Sequence, residues 1–225
     1  MDKRFLGILG AIIVIFIAVF AITQNSNNKS SNSNNSSSSS QGSNHVEGNN
    51  KAGVTLVEYG DYECPICENY YLPLKTAVAQ YNDQIHFQFK NLPLTAIHPN
   101  AFAGARAAEA ASLQGKFWQM HDKLYDNQNN WVSSSTPLDI FAQYAQQIGL
   151  NVSKFKTDYA SSQINDTING DLSAFKKTGQ DQATPTFFLD GKYIANTGLI
   201  DSNGAASADK IGAVIKAEID AKSKQ

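Results

Sequence analysis

The sequence predicts an α/β fold: a small mixed sheet made of a strand–helix–strand unit and a later hairpin, closed by a helix and interrupted by an all-helical insertion. Three observations predict it. β-branched and apolar runs flank a helix-competent stretch over residues 54–93, with strand alternation in "IHFQFKNLP". An Ala-rich block with aromatics at helical spacing fills about residues 96–178. Beyond it, "TPTFFLDGKYIANTG" places Asp190-Gly191, a dipeptide favoured in hairpin turns, between two short strands.

The chain of 225 residues opens with Met1, Asp2, Lys3 and Arg4, followed by an apolar run from Phe5 to Ile22. That length suits a bilayer-spanning helix, which needs about 17–25 residues. Residues 5–22 are therefore expected to be a transmembrane anchor; a cleaved signal peptide ending near Val19 and Ala21 is the alternative. Lys3 and Arg4 keep residues 1–4 cytoplasmic and send the rest outward. The expected localisation is the cell membrane, single-pass, with the folded domain extracytoplasmic. Residues 23–47 are nearly all Asn, Ser and Gly and read as a disordered linker, too poor in apolar surface to offset the entropy of ordering. Residues 48–225 are left as one folded domain. A formal charge of −2 gives no footing for a nucleic-acid partner.

Within that domain, "VTLVEY" at residues 54–59 is a strand, residues 65–81 a helix, and Ile85, Phe87 and Phe89 mark the inner face of a second, parallel strand. The insertion begins at "HPNAFAGARAAEAASLQGKFWQMHDKLYDNQ"; its next helix has Thr136 as N-cap and Pro137 in the first turn, and two more follow at about 152–161 and 163–177. The hairpin comes next, and "SADKIGAVIKAEIDAK" ends the domain as an amphipathic helix.

The chain has two cysteines, both in "GDYECPICENYYLP". Cys64 falls where a strand gives way to a helix, so its sulfur faces unpaired N–H groups and the positive end of the helix dipole. A thiolate is favoured there, and the thiolate is the nucleophile. Pro65 suits the first helical turn, where its missing N–H costs nothing. Cys67, one turn further, is the resolving thiol. A half zinc site would need His45, His86, His98 or His121, none at a paired spacing. A purely structural disulfide across so short a loop would constrain the unfolded chain little. Glu58 shares the alternation of Val54 and Leu56, which puts it on an inner face with a raised pKa, ready to exchange a proton with the cysteines; an exposed strand glutamate is the plainer alternative. Lys90 is placed close to Glu58, or else solvated at its strand end. His98 is read as helping to start a helix, the Ala101 to Ala111 run as a packing face, and Phe117, Trp118, Leu124 and Tyr125 as core, with an apolar substrate surface beside the cysteines as the alternative for some of them. No carboxylate-rich loop of the kind calcium needs is evident, so no metal is expected.

The strings "VTLVEYGDYECPIC", "HPNAFAGARAAEAA", "FWQMHDKLYDNQ" and "TPTFFLDGKYI" together resemble the thioredoxin superfamily, and within it the DsbA-like thiol:disulfide oxidoreductases, especially the membrane-anchored or secreted proteins of Gram-positive bacteria. With the insertion set aside, the element order matches the thioredoxin core. The resemblance implies a cis Pro185 preceded by Thr184, in a loop that faces the cysteines and pairs edgewise with an extended substrate peptide. It implies an extracytoplasmic oxidase that introduces disulfides into exported proteins without a cofactor, taking reduced exported proteins as substrates and a DsbB-like or VKOR-like membrane enzyme as reoxidant. Ile66 departs from the pattern, because the best-known DsbA has histidine there. The potential implied is less oxidising than that of DsbA but more so than that of thioredoxin. The alternatives are a reductase or isomerase, and a non-catalytic chaperone or binding module on the same fold.

Overall fold

The computed structural model describes residues 41–224. The expected anchor and cytoplasmic start, and the linker up to residue 40, lie outside the described residues. Among the described residues no helix is long and apolar enough to cross a membrane.

The sheet contains β1 (His45–Glu47), β2 (Val54–Gly60), β3 (Ile85–Asn91), β4 (Thr186–Leu189) and β5 (Lys192–Ile194), in the order β1-β3-β2-β4-β5. β2 and β3 run parallel, from Val54 opposite Ile85 to Gly60 opposite Asn91, while the other pairs are antiparallel. Between β2 and β3 runs α1 (Pro65–Gln80). The insertion contributes α2 (Ala101–Ser112), α3 (Phe117–Asp126), α4 (Gln128–Trp131), α5 (Pro137–Gln147), α6 (Val152–Tyr159) and α7 (Ser162–Lys176), and the domain closes with α8 (Ala208–Lys222). The architecture is a thioredoxin-like α/β fold with a mixed sheet.

Two large apolar clusters fill most of the interior, and a smaller third one gathers Tyr59, Leu92, Phe175 and Phe188. Leu56, Ile85, Phe87 and Phe187 from the sheet meet Leu74 and Val78 of α1 and Ile211 and Ile215 of α8. Each fully buried side chain of this kind contributes about 1.5–3 kcal/mol. The second cluster runs through the insertion, around Trp131, Phe141 and Phe155, and includes both Cys64 and Cys67. The dithiol thus sits where the insertion's core reaches the end of the sheet. At the hairpin, Asp190 and Gly191 both have positive φ, 48° and 77°, as a two-residue primed turn requires.

The structure revises the sequence reading at two places. The expected linker extends to residue 47, yet His45–Glu47 forms an antiparallel edge strand on β3. Tertiary partners hold it there: the His45 ring stacks on Phe117 at 3.5 Å and its Nε2 lies 2.8 Å from Glu109, while Ser43 donates from both its backbone N–H and its hydroxyl to buried Asp171. Lys90 is not beside Glu58. In the β2–β3 register Phe89 is opposite Glu58 and Lys90 opposite Tyr59, so the lysine projects to the other face of the sheet, where Nζ donates to Ser43 O at 2.9 Å and Asp171 Oδ1 at 3.1 Å.

Candidate active site

Cys64 is the N-cap residue of α1, with extended backbone (φ −71°, ψ 121°), and Pro65 occupies the first turn. Its sulfur therefore faces the N–H groups of Ile66 and Cys67. The two cysteines are not joined by a disulfide in this structure; Cys64 is 5% exposed and Cys67 is fully buried. The Cys67 thiol, donating to Cys64, is the largest influence on the Cys64 thiol. Burial opposes it, but the Thr184 side chain and the first-turn N–H groups add to it, and together they bring Cys64 down to about 6. Cys67 moves the opposite way: burial and the proton it shares with Cys64 push its thiol well up. One sulfur is thus prepared as a nucleophile and the other as a held proton. The Ile66 side chain, 53% exposed, brings no charge to the pair.

The turn before Cys64 is clamped from several sides. Buried Asp61 accepts from the N–H groups of Glu63 and Leu94, each at 2.9 Å, and pairs with His98 Nδ1 at 2.7 Å. Glu63 accepts from Asn100 N, at the start of α2. Gln128, in the short α4, donates to the carbonyls of Tyr62 at 2.9 Å and Cys64 at 3.0 Å. The insertion therefore sets the position of the helix start as well as burying it. His98 belongs to this clamp, in the turn ahead of α2, which adds a partner to its expected helix-start role.

Opposite Cys64 lies the Thr184-Pro185 segment, with a cis peptide bond between the two residues. Thr184 O is 3.5 Å from Cys64 Sγ. The Thr184 hydroxyl is buried and has no other partner among the described residues, so it is available to donate to the thiolate. Asn196 holds the far side of the segment, donating to Pro185 O at 2.9 Å, and Tyr70 of α1 donates to Asn196 O at 3.3 Å.

Behind the cysteines sits Glu58, 3% exposed on the inner face of β2. Burial first, and then the charge of Cys64, push its carboxyl up to about 8, and no hydrogen bond opposes them. The last position of β2 admits only glycine, since a Cβ on Gly60 would fall 2.5 Å from the Phe89 ring and 3.2 Å from Glu58 Oε1. Glu58 borders a cavity of about 60 Å³. The structure thus brings together Cys64, Cys67, Glu58, Pro65, Thr184 and Pro185. Asp61, Gln128 and Asn196, which hold these groups in place, went unnoticed in the sequence; Asp61 and Gln128 bond backbone groups 33 and 66 positions away and Asn196 one 11 positions back, and no local spacing marks them. Among the described residues no cluster of His, Cys, Asp or Glu is arranged to hold a metal ion.

The family model described as Thioredoxin matches residues 40–217. Among solved structures, the fold is similar to that of oxidised BdbD from Bacillus subtilis, with a TM-score of 0.65 and 22% identity, covering 80% of this chain and 97% of that one. It is also similar to alpha-DsbA1 from Wolbachia pipientis, with a TM-score of 0.65 and 17% identity, over 80% and 93% of the two chains. Among curated proteins, a Na(+)/H(+) antiporter NhaA 1 from Mycolicibacterium vanbaalenii is 33% identical over 196 residues, which is 84% of this chain but 31% of that protein. The chain spans less than a third of the length of that curated relative.

The fold is one shared with the solved DsbA structure to which the chain is similar, and the dithiol at its helix start is chemically suited to thiol-disulfide exchange. The chain belongs to the thioredoxin family.

Proposed function

We propose that the protein is an extracytoplasmic oxidase that introduces disulfide bonds into exported proteins. The observation that carries this reading is the split between the two sulfurs, with Cys64 ionising at about 6 and Cys67 held protonated by burial. In the disulfide form, a substrate thiolate attacks Cys64 Sγ, the Cys64–Cys67 bond breaks, and Cys67 leaves as a thiolate that takes a proton from Glu58. A second substrate thiolate then attacks the substrate sulfur of the mixed disulfide. Cys64 leaves as a stable thiolate, so the substrate has lost two electrons and the protein has gained them. The segment leading into Thr184 and Pro185, exposed at Ala183, receives the substrate backbone as an added strand. Reoxidation falls to a DsbB-like or VKOR-like membrane enzyme, near which the apolar run 5–22 would hold the domain. Ion transport, in the name of the curated relative, is no part of this reading.

Ionisation of Cys64 at about 6 stabilises the dithiol at neutral pH by about 1.4 kcal/mol, which is roughly 30 mV in a two-electron couple. That is a fraction of the ~150 mV separating thioredoxin from DsbA. A potential between those two is expected, and equilibration against glutathione checks it; a value at or below that of thioredoxin would point to a reductase. The direct test is Cys67→Ser expressed in cells. It should trap mixed disulfides between Cys64 and exported proteins, and an absence of trapped partners would count against the oxidase.

A further inference from the structure

The cavity behind Glu58 contains a group that the exchange chemistry above leaves unused. His121, on α3, lines it, is 5% exposed, and has neither ring nitrogen hydrogen-bonded among the described residues. An imidazole buried with Nε2 unpartnered and Nδ1 offered only Asp122 Oδ1 at 3.5 Å gives up hydrogen bonds it would make in water, so this position asks for an explanation. Its ring is fixed by aromatic contacts with Tyr62, Phe89, Trp118 and Tyr125, at centroid separations of 5.0 to 5.6 Å. The cavity has room for more than one water, and its polar lining gives such waters partners.

Glu58 lines this cavity together with Glu47, Lys75 and Asp122. Lys75 and Asp122 pair at 2.7 Å with side chains 51% and 35% exposed, so beside them the cavity reaches solvent. We propose that His121 and the cavity water form the route by which protons pass between Glu58 and solvent. The inference rests on the thiol-exchange reading and deepens it. When Cys67 leaves as a thiolate, Glu58 gives it a proton and becomes a carboxylate in an apolar surround. His121 then donates from one ring nitrogen toward Glu58 and recovers a proton at the other from solvent. Reoxidation of the dithiol sends one proton outward by the same path. His121 touches neither sulfur and acts through Glu58.

The groups facing His121 favour this traffic. Burial lowers its pKa, and Lys75 of α1 and His45 of β1 push the same way. Asp122, its neighbour on α3, opposes them from 3.5 Å. Tyr71 and Tyr125 are both shifted upward by burial, so neither competes as an ionised group. The Glu47 carboxyl at the mouth is raised, again by burial first. The imidazole therefore rests neutral between two carboxyl groups that hold protons more tightly than exposed ones do.

The test follows reduction of the disulfide form of the full chain by dithiothreitol, sampled by rapid acid quenching. His121→Phe keeps a ring in the aromatic box and removes both nitrogens; His121→Ala leaves a void that free imidazole can fill. Each is expected to slow reduction roughly tenfold, less than the ~10²-fold usual for loss of a group that transfers the proton directly. Added imidazole should restore His121→Ala and leave His121→Phe slow, and in a Glu58→Gln background His121→Phe should cause no further loss. A His121→Phe rate equal to wild type, or a loss that persists undiminished in the Glu58→Gln background, would overturn the relay. Should neither variant fold, the wild type decides in mixtures of light and heavy water: a curved rate dependence supports protons moving in a chain, and a linear one overturns it. A wild type that exchanges no thiol at all would instead remove the parent reading.

Discussion

Glu58 and Asp171 are both buried carboxyl groups on opposite faces of the same sheet, and they are treated in opposite ways. Asp171, fully buried on α7, accepts from Ser43 N and Oγ, Lys90 Nζ, and Asn91 N and Nδ2. Glu58 is almost as deep and gains no such donors; its carboxyl is left to burial and to the Cys64 charge. A carboxylate satisfied from several elements joins parts of a fold, here the chain before β1, β3 and the insertion. A carboxyl denied donors has a proton affinity tuned by its surroundings, which suits it to move protons. The difference separates a structural acid from a chemical one without reference to sequence position.

The largest effect should come from the structural acid. Asp171→Ala strands the Lys90 ammonium and the Ser43 and Asn91 donors, and breaking a buried pair of this kind costs roughly 3–5 kcal/mol. Denaturant unfolding measures it; a loss below about 1 kcal/mol would mean that water replaces the carboxylate easily and that the contrast is one of geometry alone. The chemical acid should respond with the other sign. Its folded value of about 8 lies above its ordinary 4.5, so below 4.5 both folded and unfolded states carry the proton and nothing is lost. As pH rises toward 8 the unfolded chain ionises freely while the folded one resists, and stability falls. At pH 7 the deficit is about 3 kcal/mol, on the order of 1.4 kcal/mol per unit. Glu58→Gln should remove it, making the variant more stable than wild type at neutral pH and equal to it in acid, while slowing proton delivery to Cys67. Parallel stability curves across pH would show that Glu58 is not held protonated.

How far this was legible in the sequence follows the same division. β2, β3 and the hairpin announce themselves by alternation and by the Asp190-Gly191 turn, and Glu58 is assigned inward because it shares the phase of Val54 and Leu56. The Cys64 helix start is a local signal too, since proline follows it immediately. The insertion reads as helical, but its breaks do not all show; one falls at Gly115, whose φ of 72° ends the turn after α2. β1 and its clasp were illegible. A strand of three residues with one aliphatic side chain has no period, and Ser43 meets Asp171 across 128 positions. Gln128 is similar: its role is to satisfy a carbonyl 66 residues earlier, and an amide among asparagines gives no hint of that. Local chemistry and periodicity leave a trace in sequence, whereas hydrogen bonds that close long loops do not.

The smallest expected effect discriminates most finely between the two titrations at the site. In the dithiol form, rising pH ionises Cys64 at about 6, while Glu58, at about 8, still carries its proton. The thiolate therefore forms beside a neutral acid, and the carboxylate later forms beside an existing anion, which is why the Cys64 charge appears among the causes of the Glu58 shift. Replacing that neutral acid by a neutral amide removes no charge in the range where Cys64 titrates. Glu58→Gln should move the Cys64 midpoint by less than about 0.3 unit, because a full unit would require ~1.4 kcal/mol of lost interaction and none of charge–charge type is present. Thiolate absorbance and the pH dependence of alkylation both measure it. A fall of a unit or more in the variant would mean that Glu58 is already anionic when Cys64 ionises, reversing the order of the two protons and leaving Cys67 without a donor.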